Sequence, residues 1–430
     1  MYFRENFLYF IWQFRLFNRR DLYCEDGALV RIVKPGMQNT HAGPDFNGAK
    51  LVIDGTTWVG DVEIHVKSSD WLLHGHQHDP SFESVILHVV YVNDKPIYRK
   101  DGSLLPVLVL KDLFSEHLLD NYTNMLSSSL HFPCEAQIRS AEKFVVDGFL
   151  SRLVVERFEQ KSDEVYKKLA ELKGDWEAVF YCFMARNFGF KVNAMPFDQL
   201  AGNLPLAILG RHKNNALQIE ALIFGQAGFL EIGTSPEYSD EYHQSLKFEY
   251  AFLKKKYKLM AVDRSLWKFL RMRPQNFPTI RLAQFSALIL SRPHLFSEVL
   301  ELNNLKEVYR LFGKLPVNDF WLKHYHFNKS TRFVNVQLGA QSVQNLVINT
   351  VCLFLFAYGK YTAQPQYTER ALDFLEQIPA ERNSVISQYV NSGVVPDNSF
   401  QSQALLQLNK YYCTQKKCLN CSIGVHLLKK

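Results

Sequence analysis

Asp45 and Glu63 are where chemistry most readily begins in this chain. They flank Asp54-Gly55, a dipeptide that favours the tight turn of a β-hairpin. Residues 46–53 and 58–67 read as the two strands joined by that turn. Paired positions then sum to about 109, which sets Asp45 opposite position 64 or 65, diagonal to Glu63 and beside His65, with Cβ atoms roughly 5–8 Å apart. Two carboxylates so close repel each other unless a cation lies between them, and hard oxygen ligands suit Mg²⁺ or Mn²⁺. An ion held there would polarise a phosphate and lower the pKa of water. In the return strand Val62, Ile64 and Val66 alternate with Asp61, Glu63, His65 and Lys67. One set packs on a core and the other lines the opposite face. His65 or Lys67 would position water or stabilise charge on the phosphate. The plainer alternative makes Asp45 and Glu63 a strand cap and ion-pair partners of Lys67 or Arg31.

Three further groups carry donors. Six of the 14 histidines fall between His41 and His88, which places chemistry early in the chain. His74, His76 and His78 with Asp79 form a dense cluster that reads as a polar loop flanking the site, or else as zinc ligands, since imidazoles two apart in an extended segment share a face. His88 lies in an apolar run and reads as a hydrogen-bonded core histidine. Cys413, Cys418 and Cys421 have the spacing C-x4-C-x2-C, suited to Zn²⁺ or an Fe–S cluster, or they are free thiols. A fourth ligand would be His426 nearby, or Cys24 or Cys134 at long range. Finally, Arg271, Arg273 and Arg281 interleave with Pro274, Phe277 and Pro278. Arginine suits bidentate phosphate contacts and aromatic rings can stack on bases, although an ordinary helix junction has the same composition. There is no G-x-x-x-x-G-K-[ST] phosphate loop.

The elements that must position these groups differ between the two parts of the chain. Residues 2–17 form an apolar stretch of helical character, with Glu5 as a polar exception. Strands are expected at 28–33, 46–53, 58–67, 85–92 and 106–110. Beyond about Ser140 the period is helical, including 144–172, 176–188, 216–224, 265–269, 280–290, 305–312, 341–358 and 367–377. The expected fold class is α+β: an α/β domain over 1–115 with a mixed sheet, a mainly helical domain over 140–410 and a Cys-rich segment over 411–430. Residues 1–140 carry 13 basic and 17 acidic groups, whereas 141–430 carry 36 and 26. An acidic part followed by a basic part suits a metal site accompanied by a surface for polyanions. The first residues hold charges unlike a signal peptide, and the apolar run near 347–358 is too short to span a bilayer, so no membrane partner is expected. Seven cysteines with no export signal point to a reducing, cytoplasmic setting. The oligomeric state is not legible.

The order helix, strand, hairpin, short connection, buried strand, together with Pro44-Asp45 and Glu63, resembles the core of the PD-(D/E)XK nuclease superfamily. That resemblance implies a metal held by Asp45 and Glu63, with Glu5 of the first helix as a third acid and a lysine two residues after the glutamate. Position 65 is histidine instead, and Lys67 follows on the same face. Gly75 and Pro80 are also poor residues for the helix usual in that connection. The whole chain resembles an uncharacterised bacterial protein family through HAGPDF at 41–46, GDVEIH at 60–65, SSDW at 68–71, ILHVVY at 86–91, EALIFGQAGFL at 220–230, RMRPQNFPTIRLAQF at 271–285 and YYCTQKKCLNC at 411–421. The resulting expectation is a metal-dependent nuclease that hydrolyses phosphodiester bonds in DNA with the Asp45/Glu63 acidic cluster. The alternative is a non-catalytic nucleic-acid-binding or scaffold protein with a nuclease-like fold and a structural metal near its C-terminal cysteines.

Overall fold

A computed structural model describes residues 5–230, 240–327 and 329–430; the first residues of the expected helix, 2–4, lie outside these. The chain divides into two compact units. The first comprises 1–150, 387–395 and 408–430, and the second 151–386 and 396–407. The fold is α+β, with a seven-stranded mixed sheet followed by a largely helical region.

In the first unit, helix α1 (Glu5–Phe14) buries Phe7, Leu8, Phe10, Ile11 and Trp12. Burial of each such side chain stabilises by about 1.5–3 kcal/mol. Phe7 stacks on Tyr122 with centroids 5.3 Å apart and meets Phe114 edge-on at 5.5 Å. The sheet contains β1 (Leu22–Tyr23), β2 (Leu29–Lys34), β3 (Met37–Gln38), β4 (Phe46–Ile53), β5 (Thr56–Lys67), β6 (Val85–Val92) and β7 (Val107–Val109). Its order is β1-β2-β4-β5-β6-β7, with β3 on β4. The β2, β4 and β5 pairings are antiparallel, whereas β5–β6 and β6–β7 are parallel. Burial of Val85–Val90 fits a central strand covered on both faces.

The hairpin pairs Ile53 with Thr56 through Ala49 with Gly60 in the expected register, then shifts. Gly48 has φ +66°, and beyond it Phe46 pairs with Val62. This bulge moves Asp45 by one position, to stand opposite Glu63. Gly60 is required where β5 meets the entry to β6: a Cβ there would lie 2.5 Å from Ile86 Cγ2 and 2.6 Å from the Ser84 carbonyl.

In the second unit the helices include Trp176–Phe188, Ala216–Gln226, Pro278–Ser291, Leu305–Phe312 and Pro365–Gln377. The expected helix at 265–269 is only a 3-10 turn, Arg264–Leu266. One helical stretch among the described residues, Ala340–Tyr361, is long and apolar enough to cross a membrane, with 67% of its apolar window buried inside the protein. Its middle, Val347–Cys352, is a π-helical segment.

Candidate metal centre

Helix α1 and the segment after β5 both pack against β5. They cover the face of β5 that carries Glu63 and His65. Glu63 is 4% and His65 1% exposed, alongside buried Val62 and Ile64. Sequence alternation separates two faces of a strand but does not reveal that the polar one is covered. The expected row of four polar side chains is therefore not present as such. Asp61 turns elsewhere: it accepts from Gly48 N at 2.9 Å and from Ser84 Oγ at 2.6 Å. Lys67 is exposed at the end of β5.

Asp45 and Glu63 do converge. The Asp45 backbone N–H donates to Glu63 Oε2 at 3.0 Å, and Ile64 N donates to Asp45 Oδ2 at 2.9 Å. Tyr9 of α1 donates its hydroxyl proton to Asp45 Oδ1 at 2.6 Å. Tyr9 was not singled out from sequence; its signal is its place four residues after Glu5, on the same helix face. Burial raises the Asp45 carboxyl above its ordinary range, opposed by the bonds from Tyr9 and Ile64. Burial first, then the Asp45 charge, raises Glu63 as well. Glu5 is raised by burial and by Asp45, so the three acids share one electrostatic neighbourhood. They do not form a close ligand set.

Imidazoles do. His65, His74 and His76 offer ligand atoms that all lie within 4.8 Å of one another, and among the described residues no other group of three His, Cys, Asp or Glu side chains meets that distance. His65 Nε2 lies 3.1 Å from His74 Nδ1, while its Nδ1 lies 2.9 Å from His88 Nε2. Glu63 Oε1 is 3.2 Å from His76 Nε2 and 3.5 Å from His65 Nε2.

Local chain chemistry explains the convergence. Ser68–Ser69 turns β5 into α2 (Asp70–Leu73), which ends at His74. Gly75 then adopts φ +77°, a conformation glycine takes without the Cβ penalty, and the chain reverses into the 3-10 turn His76–His78. Both His74, itself exposed, and His76 thereby reach His65, while His78, also exposed, is not part of the group. His76 stacks on Phe82 at 3.8 Å and meets Trp71 edge-on at 5.4 Å. Burial, followed by the neighbouring imidazoles, holds His65 down to about 2. His88 is held down to about 3, with burial the first cause. Burial lowers His76 too. His65, His76 and His88 are therefore neutral near pH 7, the form in which imidazole binds metals. The tautomer with the proton on His65 Nδ1, shared with His88, leaves Nε2 as a ligand.

The donor set decides which ion fits. His76 Nε2 is buried and has no hydrogen-bond partner despite its closeness to Glu63. Three imidazole nitrogens beside one carboxylate suit Zn²⁺ or another first-row transition ion, whereas Mg²⁺ prefers oxygen ligands and retained waters. Against His76 lies a cleft of about 360 Å³, also lined by Trp71, Phe82, Tyr98, Arg99 and Lys100. Lys100 ion-pairs with Glu83 on its rim.

Residues 5–384 match the family described as "Protein of unknown function (DUF2851)". The chain belongs to that family. Its matched span contains Glu5, Asp45, Glu63 and the three clustered histidines, and ends before Cys413. Comparison with the curated proteins and with the solved structures finds no match.

The remaining expected site residues lie elsewhere. Arg271 and Arg273 are exposed. Arg281 is buried: its guanidinium donates to Gln284 Oε1 at 3.0 Å, Asn276 Oδ1 at 2.7 Å and Ser342 Oγ at 3.0 Å, and lies 4.4 Å from the Phe190 ring centroid. Cys413, Cys418 and Cys421 belong to the first unit.

Proposed function

We propose that this DUF2851 chain is a metal-dependent phosphodiesterase acting on nucleic acid, with Glu63, His65, His74 and His76 as the metal ligands and Asp45 beside them. The observation that carries this reading is the convergence of His65, His74 and His76 on one another, with Glu63 Oε1 against His65 and His76 and with His76 Nε2 buried without a hydrogen-bond donor or acceptor role satisfied. A transition ion bound there supplies Lewis acidity and a lowered pKa for water. Asp45, which accepts hydrogen bonds from Tyr9 and the Ile64 N–H, would act as the base that takes a proton from water. Trp71 and Phe82 pack against His76 and would shield it from solvent. Arg99 and Lys100 are the cations that the adjoining cleft offers to a phosphodiester, set among Asp79, Glu83 and Asp101, and Tyr98 offers an aromatic face to a base. The order of β4, β5 and β6 supports the same reading by its resemblance to the PD-(D/E)XK core, with the ligand set shifted from oxygen towards nitrogen. The basic excess of residues 141–430 would give salt-sensitive affinity for the polyanion.

The test is hydrolysis of single- and double-stranded DNA and of RNA by the metal-free protein resupplied with Zn²⁺, Mn²⁺ or Mg²⁺. Cleavage should require a transition ion and fall at least about a hundredfold in Asp45→Ala, Glu63→Ala and His76→Ala, in line with loss of a metal ligand or general base. Cleavage that survives all three substitutions would remove the site. The near-complete burial of Glu63 and His65 favours one other reading, a non-catalytic nucleic-acid-binding protein with a structural ion. It predicts metal and nucleic-acid binding with no turnover under any of these ions.

A further inference from the structure

Four of the seven cysteines gather in one place, although one stands far from the others in sequence. Cys413 ends the π-helical segment Asn409–Cys413, Cys418 opens the 3-10 turn Cys418–Asn420, and Cys421 caps the helix Ser422–Lys429. Cys134 comes from the tight turn in which the Cys134 carbonyl accepts from Gln137 N and Ile138 N. The Cys134 thiol lies within electrostatic reach of Cys413, Cys418 and Cys421, Cys413 is within reach of Cys418 and Cys421, and Cys418 of Cys421. Packing places them in the same neighbourhood: Phe132, two residues before Cys134, stacks on Tyr389, which meets Cys413, and all seven cysteines of the chain are free of disulfides. The other three sit apart from this group: Cys24 beside Asp26, and Cys182 and Cys352 in the second unit.

The surroundings suit a ligand more than four idle thiols. Cys134, Cys418 and Cys421 are buried. Tyr389 Oη lies 3.3 Å from Cys413 Sγ, and the Tyr389 ring stacks on Phe132 at 4.5 Å. The Gly424 N–H donates to Cys421 Sγ at 3.5 Å. Gly424 also permits close approach of its helix to the cysteine turn, since a Cβ there would stand 2.4 Å from the Cys418 carbonyl oxygen. Donors aimed at sulfur in a dry pocket are what stabilise metal-bound thiolates.

Spacing chooses the ligand. A single tetrahedral zinc with bonds of about 2.3 Å draws its sulfurs to within about 3.8 Å of one another. No three of these thiols lie within 4.8 Å of one another. An iron–sulfur cluster spreads its thiolates more widely, because they bind different irons, and C-x4-C-x2-C with a distant fourth cysteine is a spacing that such clusters use. We propose that Cys134, Cys413, Cys418 and Cys421 ligate an iron–sulfur cluster that fastens the segment 408–430 to the turn carrying Cys134. Its role is structural, and it stands independently of the histidine centre.

The test uses the full chain, purified without oxygen and then reconstituted with ferrous iron and sulfide. The expected protein is brown, with visible charge-transfer absorption and iron and acid-labile sulfide in matching amounts. Cys134→Ser and Cys418→Ser should each lose most of the iron, while Cys24→Ser, also at a buried thiol, should keep it. Alkylation of the wild-type protein followed by mass spectrometry gives a readout free of folding defects. These four cysteines should resist labelling until the cluster is chelated away, and label fully afterwards. A colourless protein after reconstitution, zinc without iron at the four thiols, or undiminished iron in Cys134→Ser would overturn the proposal.

Discussion

Glu63→Gln separates the metal centre from the fold that houses it. Glu63 Oε2 accepts the Asp45 N–H and Oε1 faces His76 and His65. Glutamine keeps an acceptor for the first contact and loses only the charge. Because burial and Asp45 raise the Glu63 carboxyl, the metal-free protein already holds it largely neutral; glutamine mimics that form without the proton uptake that folding of the wild type requires near pH 7, so the metal-free unfolding temperature should not fall and should rise. An ion needs the carboxylate and should expel its proton. At a free concentration one hundred times its dissociation constant, a bound ion stabilises the folded state by about 2.7 kcal/mol. For a cooperative unit of 150–250 residues, at about 2–4 °C per kcal/mol, this is a rise of about 5–11 °C. Differential scanning fluorimetry with Zn²⁺ or Mn²⁺ should show that rise in the wild type and little in Glu63→Gln or His76→Ala, while Lys67→Ala should behave as wild type. Calorimetry in buffers of different ionisation enthalpy should report about one proton released per ion while Glu63 remains protonated. The reasoning fails if Glu63→Gln retains the full shift, or if no transition ion moves the wild-type transition.

In the metal-free protein, the folded pKa values of Glu63 and Asp45 lie above their unfolded values, so the folded state binds more protons. The contribution of these groups should be fully present below the unfolded range near 4 and decline as pH rises towards the raised folded values, and urea titrations across that window should show it flattened in Glu63→Gln. Gly60→Ala places a methyl group against the Ser84 carbonyl and Ile86, and should cost about 1–3 kcal/mol in chemical denaturation. Gly75→Ala should weaken ion binding through displacement of His74 and His76, read by metal titration, with a stability cost of only about 1–2 kcal/mol for the left-handed backbone. Arg281→Ala should lower stability by about 1–3 kcal/mol for its lost buried hydrogen bonds, whereas a double Arg271→Ala, Arg273→Ala substitution should leave stability unchanged and reduce the salt slope of DNA binding.

Local pattern was a good guide to the first unit. The strand Phe46–Ile53, the turn at Asp54-Gly55 and the apolar strand Val85–Val92 were all legible, since each depends on neighbours close in sequence. The register was legible only as far as Ala49. The Gly48 bulge, a matter of one backbone angle, set Asp45 opposite Glu63 instead of 64 or 65. Tyr9 escaped notice because its hydroxyl acquires meaning only when α1 is laid across β5. The histidines at 74 and 76 were visible, but a polar segment with Gly75 and Pro80 gives no sign that it folds back on His65. Cys134 could be offered as a partner of the last three cysteines and no more, since no spacing rule spans that separation. Arg281 looked available for phosphate because composition does not register burial.

The first unit is assembled from segments that leave the ribosome far apart in time. Residues 408–430 follow residue 150 by roughly 250 positions, or about 12–50 s of synthesis. Until then the sheet and α1 exist without the Ser422–Lys429 helix, whose Ile423, Leu427 and Leu428 are buried in the finished fold. A nascent chain halted near residue 390 should therefore hold apolar surface that chaperones recognise, and maturation of the first unit would be timed by residues 408–430 rather than by its first 150.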